Sequence, residues 1–192
     1  MRPTNDVDTV IDVRSDPNIL HTSTGTLTSL GFRSAGISAE GRQHRWRPGV
    51  DRCAATRGDR ERASERQAVT GSPTLPTEGG TQALRRSDTV AVTVDGREGF
   101  VRRFNLVGAL VVKAAAHCNP GDLDPRRHRR DFLVLAGLVR ASDFTDDDLN
   151  KTDRRRLRST VTAIEADREL LLETADAPDA IARLKTAARL DR

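Results

Sequence analysis

Residues 7 to 13, Val-Asp-Thr-Val-Ile-Asp-Val, constrain this chain more than any other stretch. Val7, Ile11 and Val13 fall on one face of an extended chain, and Asp6, Asp8, Val10 and Asp12 on the other. Alternation with β-branched residues predicts a strand. Residues two apart on a strand share a face, so Asp6 and Asp8 project together, their α-carbons about 6–7 Å apart. Two hard oxygen donors at that spacing can share a divalent metal. A solvated acidic face is the plainer reading of the same pattern.

The core available to such a strand is thin. Of 192 residues, 36% are hydrophobic and 3% aromatic, with no Tyr, against 31% charged. That is enough for one globular core, near the polar limit. Arginine supplies 29 of the 32 basic residues. Its planar fork suits phosphate, so nucleotide or nucleic-acid partners are permitted. The 28 acids leave a net charge of only +4, too little to imply nucleic acid by itself. Cys53 and Cys118 form no disulfide framework or metal-finger spacing, which predicts a reducing, cytoplasmic setting. The apolar run from Leu106 to Ala116 is broken by Lys113 and too short to span a bilayer, so no membrane partner is expected.

After the first strand, Ser15-Asp16-Pro17 predicts a helix start, with a helix to Leu30 that turns Ile19, Leu20, Leu27 and Leu30 inward. Short strands are expected at 32–36 and 43–47. Residues 49–59 have no apolar period of either kind, 60–69 could form a charged helix, and 70–81 are rich in Gly, Pro, Ser and Thr. The segment from 48 to 81 is therefore expected to be irregular and mobile. Asp95-Gly96 between two strand-like runs predicts a hairpin. Helices are expected from Asn105 to His117, from Pro125 to Val139, from Thr152 to Glu173 and from Pro178 to Leu190, with an acidic helix start at 145–148. The expected class is α+β, a mixed sheet in the N-terminal half (1–103) and a helical C-terminal half (104–192).

Three features can carry chemistry together: Asp6/Asp8, Lys113 inside an apolar helix, and Asp131 beside Arg126-Arg127-His128-Arg129-Arg130. Each has a plain reading too. Lys113 can snorkel to solvent, Asp131 can pair with Arg127 one turn earlier, and the Arg cluster can be a solvated face. Combined, an acid pair with cations is what phosphoryl or nucleotidyl transfer needs, because metal and cations stabilise charge on the transferring phosphate.

Thr4-Asn5-Asp6-Val7-Asp8 resembles the Thr-x-Asp-x-Asp strand of nucleotidyltransferase-fold proteins. Lys113-Ala114-Ala115-Ala116 followed by Arg126…Asp131-Phe132…Leu135 resembles the later half of the AbiEii/AbiGii abortive-infection toxin group, and Gly79-Gly80-Thr81 and the hairpin fit that layout. The resemblance covers most of the chain from Thr4 to about Leu171. It implies Mg²⁺-dependent transfer of a nucleotide from a nucleoside triphosphate to an RNA or protein acceptor, and an antitoxin partner. On this reading Asp6 and Asp8 are catalytic and hold the metal, while Thr4, Lys113, Arg127 and Asp131 bind substrate.

Two parts of the family pattern are missing. Members carry a Gly-Gly or Gly-Ser turn upstream of the acid pair, where this chain has five residues before Asp6; the reading is of an N-terminally truncated member with impaired activity. Members also carry a third carboxylate on an apolar strand, expected here after Trp46, where Val50 to Asp59 stand instead. A permitted codon choice for Gly49–Asp59, read one base later, encodes Ala-Ser-Ile-Asp-Val-Leu-Pro-Arg-Gly-Val, with its Asp codon straddling Arg52 and Cys53. That suggests a local compensated frameshift, and leaves Asp51 as the nearest surviving acid. Two other functions stay open: an inactive fragment of the fold kept as an interaction protein, and an Arg-rich module binding nucleic acid through 126–130 and 154–158.

Overall fold

The computed structural model describes residues 6–13, 16, 18–43, 45–48, 53–59, 67–77, 79–145 and 149–191. At 6–9, 48, 53–59, 75, 76 and 94 the description is of the backbone alone. The chain forms two compact units, Met1–Thr81 and Gln82–Arg192.

The first unit is built on a mixed sheet. Its elements are β1 (Asp6–Ile11), α1 (Ile19–Ser29), β2 (Phe32–Ser34), β3 (Arg45–Pro48), β4 (Cys53–Asp59) and β5 (Leu75–Thr77). β4 is the central strand. β1 runs parallel along one side of it, from Asp6↔Cys53 to Ile11↔Gly58. On the other side β3 pairs antiparallel with its first half, and β5 parallel with its last half. β2 lies outside β3, paired antiparallel. Ile11 of β1 and Val13 just beyond it are buried, as the alternation predicts, with Leu20 of α1 and Ala68.

Polar residues complete this small core. The Thr24 hydroxyl donates to the Leu20 carbonyl at 2.8 Å and accepts from the Val69 N–H at 2.9 Å. Gln43 is fully buried, donating to the Arg45 carbonyl and accepting from the Thr70 hydroxyl at 2.9 Å. Thr24 and Gln43 are thereby both hydrogen-bonded, as buried polar groups require. Leu30, expected inward, is 68% exposed. It is the C-cap residue of α1, past the last turn that faces the sheet, and Thr24 takes the inward place.

The expectation of an irregular segment from 48 to 81 differs from what forms. β4 and β5 lie within it, with a Gln67↔Pro73 bridge between them. Cys53-Ala54-Ala55 and Gly58 lack an apolar period but are small, and a central strand is held by backbone ladders on both sides. The periodicity test reads side chains only and misses such a strand. Residues 60–66, the expected charged helix, lie outside the described residues.

α2 (Gly80–Arg85), whose first two residues end the first unit, leads into the hairpin β6 (Ser87–Val94) and β7 (Arg97–Phe104) of the second. Asp95 and Gly96 have φ of 50° and 75°, the left-handed pair that a two-residue hairpin turn needs. Then come α3 (Leu106–His117), α4 (Pro125–Ala136), a 3₁₀ turn at Ala141–Asp143, α5 (Lys151–Glu165), α6 (Arg168–Glu173) and α7 (Ala177–Ala187). Asn105 and Asp124 cap α3 and α4, accepting from Gly108 and Arg127 N–H groups. Leu110, Phe132, Leu133, Leu157, Ile164, Leu170 and Leu184 are the centre of one apolar core.

The hairpin lies with the helices, in the unit that begins at Gln82. The Asn105 N–H donates to the Arg86 carbonyl at 2.7 Å. Gly108 sits so close to Arg86 that a Cβ would lie 3.0 Å from its carbonyl oxygen. The single helix expected from 152 to 173 is two helices. Asp167 interrupts it, its carboxylate accepting from the Leu170 N–H at 3.1 Å and so capping a new helix in mid-run. The acidic helix start falls on 146–148, outside the described residues; α5 is capped by Asn150. The α+β class, with a mixed sheet first and helices after, is as expected. No described helix is long and apolar enough to cross a membrane.

Candidate functional site

β1 forms at the place its alternation predicts, with Asp6 and Asp8 in register with Cys53 and Ala55 of β4. The side chains of Asp6 and Asp8 lie outside what is described, as does all of Thr4. The strand that should follow Trp46 does exist: β4 follows it and pairs parallel with β1. The residues beside the acid pair on that strand are Cys53 and Ala55, neither a carboxylate. Asp51 lies outside the described residues. Gly79 takes φ of 74°, and a Cβ on Gly80 would lie 3.6 Å from Val10 Cγ1. The Gly79-Gly80 turn therefore covers β1 one alternate position beyond Asp8.

The register extends across the sheet. Asp8 pairs with Ala55, and Ala55 with Arg45. Arg33 on β2 pairs with Arg47 on β3. Arg45 and Arg47 flank Trp46, which is 1% exposed, while both arginines are exposed, as is Arg33. Alternation thus buries the Trp on one face and sends Arg33, Arg45 and Arg47 to the other. Among the described residues none of the three is paired with a carboxylate. Sequence reading had missed these residues; the signal was Arg-Trp-Arg alternation inside an expected strand.

In the second unit Lys113 and Asp131 meet. Lys113 Nζ is 2.6 Å from Asp131 Oδ2, across α3 and α4. Both side chains are substantially exposed, at 34% and 51%. Asp131 does not pair with Arg127. Arg127 instead contacts Asp122 at 3.0 Å, and His128 Nε2 lies 2.7 Å from the same carboxylate oxygen. Burial would raise the Asp122 carboxyl, but the Asp124 N–H, His128 and Arg127 outweigh it and hold it down at about 2. His117 is pushed below its ordinary value by burial and by the nearby charge of Arg129, against the Pro125 backbone.

The rest of the arginine cluster is also neutralised. Arg126 reaches Asp167, Glu169 and Glu173, Arg129 reaches Asp167, and Arg130 reaches Glu173. The Leu170 N–H and the two arginines hold the Asp167 carboxyl below its usual range. Arg154 and Arg158 donate to the Ala188 and Leu190 carbonyls. These arginines fasten α4 to α6 and α5 to the C-terminal end of α7. An open groove of about 360 Å³ between α5, α6 and α7 carries Lys185, already paired with Glu165 and Asp191. Among the described residues no three His, Cys, Asp or Glu side chains gather as a metal site. The expected site residues thus divide between the units: Asp6 and Asp8 in the first, Lys113, Arg127 and Asp131 in the second.

No protein-family model matches the chain, and no curated protein matches it. Among solved structures, it is similar to the crystal structure of an antigenic nucleotidyltransferase-like protein from Paracoccidioides brasiliensis. The two are 16% identical, the match covers 94% of this chain and 75% of that chain, and the TM-score is 0.48. A likeness at this level says nothing of activity, metal or acceptor.

Proposed function

We propose that the chain is a nucleotidyltransferase-like protein, of the kind found in the AbiEii/AbiGii toxin group. In this reading it transfers a nucleotide from a nucleoside triphosphate to an RNA or protein acceptor. The observation that supports it is the pairing of the Asp6/Asp8 strand, in parallel, with the central strand that follows Trp46. Mg²⁺ is usually bound by one or two carboxylates, with substrate phosphates and water completing the shell. A strand offering Asp6 and Asp8 fits that donor set, and those two residues would hold the ion. Its chemistry there would be to neutralise phosphate charge. The acceptor oxygen attacks the α-phosphorus, the bond to the bridging oxygen breaks, and pyrophosphate leaves. In the same reading Lys113, Arg127 and Asp131 help bind substrate, and an antitoxin controls the protein. Nucleotide labelling of wild type beside the Asp6→Ala/Asp8→Ala double variant is the test. Mg²⁺-dependent labelling should be lost in the variant; equal labelling would reject the acid pair.

A second reading, an inactive form of the fold acting only by binding, is favoured by Cys53 and Ala55 beside the acid pair. The frame-shifted Asp codon straddles Arg52 and Cys53, and of these two Cys53 is in register with Asp6. If a third acid has been lost there, Cys53→Asp should raise labelling about tenfold, since one well-placed charge near a reacting phosphate is worth at least that. No gain, with wild type silent, would favour the binding protein. The Arg-rich nucleic-acid module loses its main support, because Arg126, Arg127, Arg129 and Arg130 each have an acidic partner within the unit.

A further inference from the structure

The arginines of the sheet are placed unlike those of the helices. Arg33 and Arg47 stand directly opposite one another on paired strands. Like charges so placed repel. Charge on the outermost strand deters edge pairing, which accounts for Arg33 on β2. It does not account for Arg45 and Arg47, because β3 is flanked by β2 and β4. An anion on this face would relieve the repulsion.

Register says which anion. Asp8, Ala55 and Arg45 form one row across three strands. Neighbouring strands are about 4.8 Å apart, so Asp8 and Arg45 are separated by about 10 Å at their α-carbons, with a methyl side-chain residue between. That separation admits a phosphate chain between a guanidinium and a carboxylate-held cation. Arg45 and Arg47, two residues apart, are about 6–7 Å from each other, and each guanidinium can fork onto phosphate oxygens. A nucleic-acid strand fits less well. Single strands are held by exposed aromatic platforms, and Trp46 is buried on the opposite face.

We propose that Arg45 and Arg47, with Arg33 at the rim, bind the triphosphate of a nucleotide whose metal is held by Asp6 and Asp8. The inference rests on the nucleotide-transfer reading above and adds to it the residues that grip the phosphates.

Titration calorimetry of the full chain with Mg·ATP, inorganic tripolyphosphate, adenosine and a short single-stranded RNA tests it. Wild type should bind Mg·ATP and tripolyphosphate but not adenosine. Arg45→Gln/Arg47→Gln should weaken both about a hundredfold, near tenfold for each charge-assisted contact removed. Arg33→Gln alone should weaken them by a smaller factor, and its edge position keeps it folded should the double variant not be. Arg126→Gln/Arg130→Gln should bind as wild type does. Unchanged triphosphate affinity in both sheet variants overturns the proposal. So does failure of wild type to bind, or loss of RNA affinity with tripolyphosphate affinity retained. Arginine-dependent triphosphate binding without labelling keeps this inference and rejects transfer. Labelling with unchanged affinity in Arg45→Gln/Arg47→Gln does the reverse.

Discussion

Two sets of arginines define this molecule, and they teach opposite lessons. Arg126 to Arg130 form the most conspicuous charge run in the sequence, yet Asp122, Asp167, Glu169 and Glu173 neutralise the arginines and bind the helices to one another. Arg33, Arg45 and Arg47 come from two short strands, yet strand pairing gathers them on one exposed face with no acidic partner among the described residues. A run of charge in sequence is therefore a poor guide to free charge in space. The partners decide it, and Asp167, Glu169 and Glu173 come from about 40 residues along the chain.

The sharpest break of that comparison is Arg86→Ala. Arg86 meets Asp153 at 3.1 Å, with the Asp side chain only 1% exposed. Removing the cation leaves a buried carboxylate uncompensated, which costs about 3–5 kcal/mol. Denaturant unfolding should show it, and Asp153→Asn added to Arg86→Ala should restore part. A smaller loss is expected from Asp167→Ala, which removes both the α6 cap and the partner of Arg126 and Arg129; a lowered Tm checks it.

Asp122→Asn should cost on the order of 1 kcal/mol at neutral pH, most of the linkage being screened by solvent. The sign follows from its depressed value of about 2. The folded state releases this proton more readily than the unfolded, so the contribution is full above about pH 4 and is lost as pH falls through 2. Unfolding curves of wild type and variant should converge there. His117 acts higher in pH. Its folded value is lowered, so the unfolded state takes the proton first and stability falls as pH drops below 6.5. His117→Gln should flatten that part of the profile.

The smallest effects belong to exposed groups. Lys113→Ala should change stability by about 0.5 kcal/mol or less, because a pair this exposed is worth little. Arg45→Ala and Arg47→Ala should stay within about 0.5 kcal/mol, and the double variant should be no less stable than wild type because the repulsion from Arg33 is relieved. A loss of several kcal/mol would make them structural, like the arginines of α4, and erase the difference between the sets.

Much of the fold is legible in local chemistry. β1, α1, the Asp95-Gly96 hairpin, and the Asn105 and Asp124 caps follow from alternation, turn residues and capping residues that act within a few positions of themselves. Lys113 and Asp131, eighteen residues apart, meet as an exposed ion pair that helix packing brings together. β4 was not legible, because small residues without a period leave the backbone ladder to define the strand. The break at Asp167 was legible in principle, as a cap residue inside an apolar period.

By itself the sequence determined that Asp6 and Asp8 lie on a strand, since a two-residue period is a property of the extended chain. Only the tertiary structure decided what stands beside them. It set Cys53 and Ala55 next to the acids and Arg45 one strand further on, and it gave Arg126 and Arg129 to Asp167. Strand register and helix packing are long-range choices made by backbone pairing and by the burial of Phe132 and Leu157 in one core, and no local pattern encodes them.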